Sequence, residues 1–282
     1  MQELHNNICF TMKDTLEENE IVTMEKIITD VMRSAGKIVL SAHLDEDSVR
    51  EKTGSANFVT EYDVAVQNFM MSEIKRNIPK AVFIAEEKEN DPTVLSGEYC
   101  FVIDPIDGTK NFINDYRHSC ISLAMISKGE TVFGAVYDPY LDEMFTAEKG
   151  MGARLNGKPM HVSERPIETA IVAFGTSPYY KDTLADKTFD FTKEIFLTAS
   201  DIRRTGAAAL DLAYLAAGRN DIFFEFVLSP WDFAAGALLV TEAGGIVTDI
   251  KGNKTELSAP SSIFAANSKI HPQLIEIAAK YK

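Results

Sequence analysis

Few cysteines, no long apolar run and a shortage of positive charge each exclude a class of protein. Cys9, Cys100 and Cys120 are too few and too far apart for a disulfide framework or a zinc site. Cys100 and Cys120 lie within apolar runs, so buried thiols in a reducing cytoplasm are expected. No apolar run approaches the ~20 residues of a membrane span, and no membrane partner is expected. The first residues, MQELHNNICF, lack a basic segment followed by an apolar one, so no signal peptide is expected. Lys and Arg number 28 against 42 Asp and Glu, a net charge of −14. A binder of the nucleic-acid backbone needs the opposite balance, so no nucleic-acid partner is expected. Acidity leaves a phosphorylated small molecule open, because a bound cation can invert the local field.

What remains is ordinary globular composition, 45% hydrophobic and 25% charged over 282 residues, without internal repeat or low-complexity linker. Residues 1–19 are polar and weakly patterned, an expected N-terminal arm. From Met24 to Val39 the apolar positions recur at i, i+3, i+4 and i+7, predicting an amphipathic helix of about four turns. Residues 43–60 read as a loop. Thr60 with Asp63 forms a capping-box pattern ahead of Val66, Phe69, Met70 and Ile74. Asp63 therefore has a structural role as its first reading and water orientation as its second.

The chain is organised around Tyr99–Phe112, YCFVIDPIDGTKNF. Tyr99–Ile103 is aromatic and β-branched, a buried strand, and Pro105 is expected to end it. Gly108 lets the backbone turn sharply. Such a corner can aim Asp104, the Ile106 carbonyl and Asp107 at one point, and all three are hard oxygen ligands suited to Mg²⁺. The plain alternative is a turn with Asp and Gly in their usual places. Ala81–Ala85 repeats the pattern, an apolar strand tipped by Glu86. Two strands delivering acids to one edge are suited to building a metal cluster.

Downstream, Ser119–Ile126, Thr131–Tyr137 and Glu143–Ala147 read as an antiparallel meander, continued by Ile171–Phe174 and Ser200–Arg203. Residues 177–190 give no clear pattern. GAAALDLAYLAAG at 206–218 is a small-residue helix whose first amides are expected to be open to an anion. A strand follows at Ile222–Val227 with Glu225 inside it, then a helix after Ser229-Pro230 with Asp232 in its first turn. Further strands are expected at Ile246–Asp249 and Ile263–Ala266, and a closing helix at His271–Tyr281.

Glu86, DPIDGTKNF and WDFAAG in this order, with VTEYD and GAAALDLAYLAAGR, resemble the inositol monophosphatase family of lithium-sensitive, metal-dependent sugar phosphatases. The resemblance spans about Lys52 to Gly245. It implies an α+β fold, a layered α-β-α-β-α sandwich with mixed, mostly antiparallel sheets. It implies one domain over 1–282, with sub-layers at about 20–150 and 151–282. By the same resemblance Glu86, Asp104, the Ile106 carbonyl, Asp107 and Asp232 hold two or three Mg²⁺ ions, with Asp104 bridging two. Thr109 with Glu86 or Asp63 activates the attacking water, and the amides of Gly108 and Thr109 hold phosphate. Asp107, Ala208 and Glu225 touch substrate hydroxyls. The implied activity is inositol-1-monophosphatase on a small phosphorylated polyol or sugar, in a cytoplasmic homodimer, with lithium sensitivity expected. A family lysine falls near Lys52, its role open.

The chemistry agrees. Phosphate monoesters hydrolyse so slowly that one of the largest known accelerations is needed. Two metal ions ~4 Å apart can activate water and stabilise the leaving alkoxide. His43, His118 and His161 read as incidental, and none is placed as a base. Departures fall on substrate contacts: Ala85 and Ala207 replace a usual glycine and a usual hydroxyl residue, and Ser229 stands where some members carry histidine. A haloacid-dehalogenase-type phosphatase has a similar Asp-x-Asp-Gly-Thr motif, but two residues separate Asp104 from Asp107 here. Fructose 1,6-bisphosphate, NADP and 3′-phosphoadenosine 5′-phosphate are alternative substrates. Lys110 looks like the last group's DGTK, whereas Asn111-Phe112 looks like the inositol branch. From another class, a non-catalytic metal- or metabolite-binding protein would be expected to have lost a ligand.

Overall fold

The computed structural model describes residues 18–43, 49–51 and 58–282. The N-terminal arm through residue 17, Cys9 and Lys52 lie outside the described residues. Five layers stack as helices, sheet, helices, sheet, helices. The outer pair is α1 (Glu18–Leu40) and α2 (Glu61–Asn77). Their apolar stripes, Ile28, Met32, Ala35 and Val39 on one and Val66, Met70 and Ile74 on the other, are buried against the first sheet. Between them, part of the expected loop forms a short antiparallel ribbon of β1 (Val49–Glu51) and β2 (Phe58–Thr60).

The first sheet has seven strands in chain order: β3 (Val82–Ala85), β4 (Cys100–Asp107), β5 (Cys120–Ser127), β6 (Glu130–Asp138), β7 (Glu143–Glu148), β8 (Gly152–Leu155) and β9 (Lys158–Met160). Only β3 and β4 are parallel. Every residue of β4 and β5 is buried, because helices cover both faces, and this explains apolar runs that do not alternate. The meander is longer than expected by β8 and β9, joined at Asn156-Gly157, both with positive φ. That dipeptide is a strong two-residue hairpin signal.

The expected continuation of the meander past Met160 is wrong. β10 (Ile171–Phe174) and β11 (Asp201–Arg203) belong to a second sheet, where they pair in parallel. Its order is β11-β10-β12-β14-β13, with β12 (Ile222–Leu228), β13 (Gly245–Thr248) and β14 (Ser261–Asn267). Parallel neighbours require crossovers. One is α4 (Lys181–Phe196), in the stretch that gave no pattern, and the other is α5 (Ala208–Ala216).

α5 and α6 (Pro230–Glu242) fill the middle layer. Small residues let them approach closely: a Cβ on Gly236 would lie 2.6 Å from Leu212 Cβ. α4 and α7 (His271–Ala278) close the outer face of the second sheet over an aromatic cluster centred on Phe191. The Phe191 ring meets Phe224 edge-on at 4.6 Å between centroids. Among the described residues, no helix is long and apolar enough to cross a membrane.

Candidate active site

The corner at Asp104 is a bulge within β4 and not the end of the strand. Asp104 pairs with Ser122 and Asp107 with Cys120, so three steps on β4 face two on β5. Pro105, lacking an N–H, sits inside the bulge where the ladder is interrupted, and pairing then resumes; the expectation that it ends the strand is corrected. The Ile106 amide donates to Asp104 Oδ1 at 3.0 Å and fixes that carboxylate. Gly108, at φ 88°, then turns the chain into α3 (Thr109–Ile113).

Because β3 runs parallel to β4, both deliver their ends to the same edge of the sheet. The Glu86 amide continues the ladder to the Ile103 carbonyl at 3.2 Å, placing Glu86 beside the bulge. Asp232 comes from the first turn of α6, where its Oδ2 accepts from the Ser229 amide at 2.8 Å. The structural cap and the position at the cleft are one arrangement. Asp107 Oδ2 accepts from the Ala209 amide at 2.8 Å, so the α5 N-terminus holds this carboxylate. The expectation that its amides are open to an anion is thereby corrected. The Cys120 thiol also faces Asp107 Oδ2, at 3.7 Å.

Thr109 Oγ1 lies 3.2 Å from the Ile106 carbonyl and 3.3 Å from Asp63 Oδ1, and its single proton can serve one at a time. Asp63 is fully buried in the capping box of α2, its Oδ2 accepting from the Thr60 amide at 2.8 Å and from the Thr60 hydroxyl. One carboxylate thus caps a helix and reaches a threonine 46 positions away.

Glu86, Asp104, Ile106, Asp107, Gly108, Thr109, Ala208, Glu225 and Asp232 line one cleft of about 430 Å³, the size of a small-molecule site. Asp63 touches the site through Thr109. Burial, then the charges of Glu86, Asp107, Asp232 and Asp63, push the Asp104 carboxyl well above the usual range. Burial and the charges of Glu86 and Asp107 do the same to Asp232. Asp107 is pushed up to about 6 by burial, against the α5 amides that pull it down. Glu225 is raised to about 7 by burial while accepting from the Ser177 amide at 2.7 Å.

This electrostatic conflict is what a divalent cation relieves. Among the described residues, no three His, Cys, Asp or Glu side chains already converge on one point. The donor set instead comprises acids from separate elements, a backbone carbonyl and open cleft for water and phosphate oxygens. That suits Mg²⁺, which keeps several waters and takes few carboxylates.

A model of the inositol monophosphatase family matches residues 20–282. The chain belongs to the inositol monophosphatase family. Nus factor SuhB of Salmonella typhimurium strain LT2 is 40% identical over 249 residues, covering 88% of this chain and 92% of that protein. The structure of extragenic suppressor protein suhB from Bartonella henselae superposes with a TM-score of 0.84 at 33% identity, covering 92% and 99% of the two chains. A Thermotoga maritima IMPase gives 0.81 at 33%, covering 92% and 97%. The family match and these structures show the α+β sandwich fold and support a phosphatase that uses Mg²⁺.

The lining also holds residues that carried no role in the sequence. Arg204 and Tyr179 are among them. Burial and the charges of Glu86, Asp232, Asp104 and Asp107 push the Tyr179 phenol up, which sets it near the acids. Asp211 is buried in α5, with Oδ2 accepting from the Thr205 hydroxyl at 2.6 Å and Oδ1 unpartnered. Its signal was an acid in an otherwise apolar helix. His118, read as incidental, is a half-buried ring edge-on to Tyr214 with an unpartnered Nε2. Among the described residues, no histidine lines the cleft.

Proposed function

We propose that this chain is a Mg²⁺-dependent phosphomonoester hydrolase whose substrate is inositol 1-phosphate and whose nucleophile is water. The observation that carries the reading is the convergence of Glu86, Asp104, Asp107 and Asp232, with the Ile106 carbonyl and the Thr109 hydroxyl, on one cleft. In this reading Glu86, Asp104, the Ile106 carbonyl, Asp107 and Asp232 would hold two or three Mg²⁺ ions. Bound there, the ions supply activation of water and stabilisation of the leaving alkoxide.

The chain's own residues orient the reactants. Asp63, fixed by the Thr60 cap, accepts the Thr109 proton, leaving the Thr109 oxygen free to accept from the attacking water. Glu86 then takes the water proton. The water oxygen bonds to phosphorus as the ester P–O bond breaks, and the alkoxide leaves as the alcohol by taking a proton from solvent water, to which Glu86 returns the proton it accepted. The amides of Gly108 and Thr109 hold phosphate, and Asp107, Ala208 and Glu225 meet substrate hydroxyls. Asp104 acts as a ligand, so no aspartyl-phosphate forms. The whole chain acts as one domain, in a cytoplasmic homodimer, with sub-layers at about 20–150 and 151–282.

The names of the curated relatives support a second role, as a Nus factor, which need not use the carboxylates. Every acid of the set is present, and this favours catalysis. Fructose 1,6-bisphosphate, NADP and 3′-phosphoadenosine 5′-phosphate are the alternative substrates. The test is phosphate release by the purified protein with Mg²⁺ across inositol 1-phosphate and these three. Release from inositol 1-phosphate above the others supports the reading, and release from none removes it.

A further inference from the structure

Glu225 is held by a turn that no sequence motif announced. Residues 175–177 follow β10, whose parallel neighbour β12 carries Glu225. The Gly175 amide continues that ladder to the Phe224 carbonyl at 3.0 Å. The Glu225 carboxylate fills the space a side chain at Gly175 would take, since any Cβ there would collide with Oε2. Two residues on, Ser177 is buried and left-handed, at φ 40°. Its amide donates to Glu225 Oε1 at 2.7 Å, and its hydroxyl lies 3.3 Å from the same oxygen. A non-glycine residue keeps such a backbone only where its surroundings demand it.

The surroundings here are a second bulge. Pairing between β12 and β14 is interrupted between Glu225 and Leu228, which leaves Val227 without a register partner on β14. The Val227 amide donates instead to Ser177 Oγ at 3.2 Å, and that oxygen lies 3.2 Å from the Val227 carbonyl. One hydroxyl thus does for Val227 what a strand would do. Its single proton serves the Val227 carbonyl or Glu225 Oε1 in turn. We infer that Ser177 is a positioning residue for substrate selection: by occupying Oε1 of Glu225 it offers Oε2 to a ring hydroxyl, favouring polyol phosphates over esters without hydroxyls. The inference rests on the hydrolase reading, in which Glu225 meets a substrate hydroxyl. Ser177 acts through Glu225 and passes no proton to the reacting atoms.

The test measures kcat and KM with Mg²⁺ for inositol 1-phosphate and for phenyl phosphate, which has a ring but no ring hydroxyl. The proteins are wild type, Ser177→Gly, Glu225→Ala and the double variant. Glycine accepts φ 40° without strain and keeps the amide, so Ser177→Gly removes only the hydroxyl. It should raise KM for inositol 1-phosphate about 3- to 10-fold, the usual worth of one hydrogen bond, with kcat and phenyl phosphate hydrolysis unchanged. In the Glu225→Ala background the same substitution should change KM no further, because residues that act through one another are not additive. A serine that only supports the fold would alter both esters, and by the same factor in either background. Wild-type preference for inositol 1-phosphate in Ser177→Gly, or an equal effect with and without Glu225, overturns this inference alone. No hydrolysis of either ester by wild type overturns the phosphatase reading and this one with it.

Discussion

Asp63 answers two demands with two oxygens. Oδ2 closes the capping box with Thr60, and Oδ1 meets Thr109. A cap immobilises a carboxylate as well as any dedicated support would, so the structural and functional readings of Asp63 are compatible. The acids at the bulge were legible as residue types at a strand's tip. Asp211 and Arg204 were not, because one sits in a helix that otherwise reads as packing and the other in a turn. Glu225 gives the residue-scale prediction. Burial raises its pKa from 4.5 to about 7, so the folded protein holds its proton more tightly than the unfolded chain does. Stability from this group therefore falls as pH rises from 4.5 through 7, by roughly 2–3 kcal/mol. Glu225→Gln keeps an oxygen acceptor for the Ser177 amide and removes the charge. Urea unfolding in the absence of metal should show Glu225→Gln gaining on wild type between pH 5 and pH 8 by about that amount. An unchanged difference between the two proteins would show that Glu225 is not held against its charge.

At the scale of elements, the helices with clean apolar spacing and the strands bounded by turns fell where their patterns placed them. α4 did not show itself because its buried face mixes Thr188 and Thr192 with Phe191 and Ile195, while Phe189 and Phe196 are exposed. Threonine dilutes the periodicity, and exposed phenylalanine obscures it. The second sheet was misread for a different reason. Parallel pairing is set by crossovers distant in sequence, and short strands carry no mark of which neighbour they choose. Pro105 misled because a proline can end a strand or occupy a bulge, and only the partner strand decides. Phe191 bears the load of the outer layer, packed edge-on to Phe224, Phe226, Phe264 and Tyr281. Phe191→Ala is expected to cost about 3–5 kcal/mol in denaturant unfolding. A loss below about 1 kcal/mol would mean that α4 is not part of the cooperative core.

At the scale of the whole molecule, five layers bring together the ends of β3 and β4 and the N-termini of α5 and α6. None of these elements makes the site alone. The first sheet supplies Glu86, Asp104 and Asp107, and the middle helical layer supplies Asp232 and the amides that hold Asp107. Gathering acids in this way raises their pKa values and costs stability in the absence of a cation. An acidic cleft of this kind repels a phosphate until cations offset its charge. The central claim is that Mg²⁺ held at the Asp104 bulge is what makes the chain a phosphatase. The direct measurement is phosphate release from inositol 1-phosphate against Mg²⁺ concentration, for wild type and Asp104→Asn, with folding checked by circular dichroism. The account predicts saturable Mg²⁺-dependent release from wild type, and release at background from a folded Asp104→Asn at every Mg²⁺ concentration. Near-normal release from Asp104→Asn would contradict it.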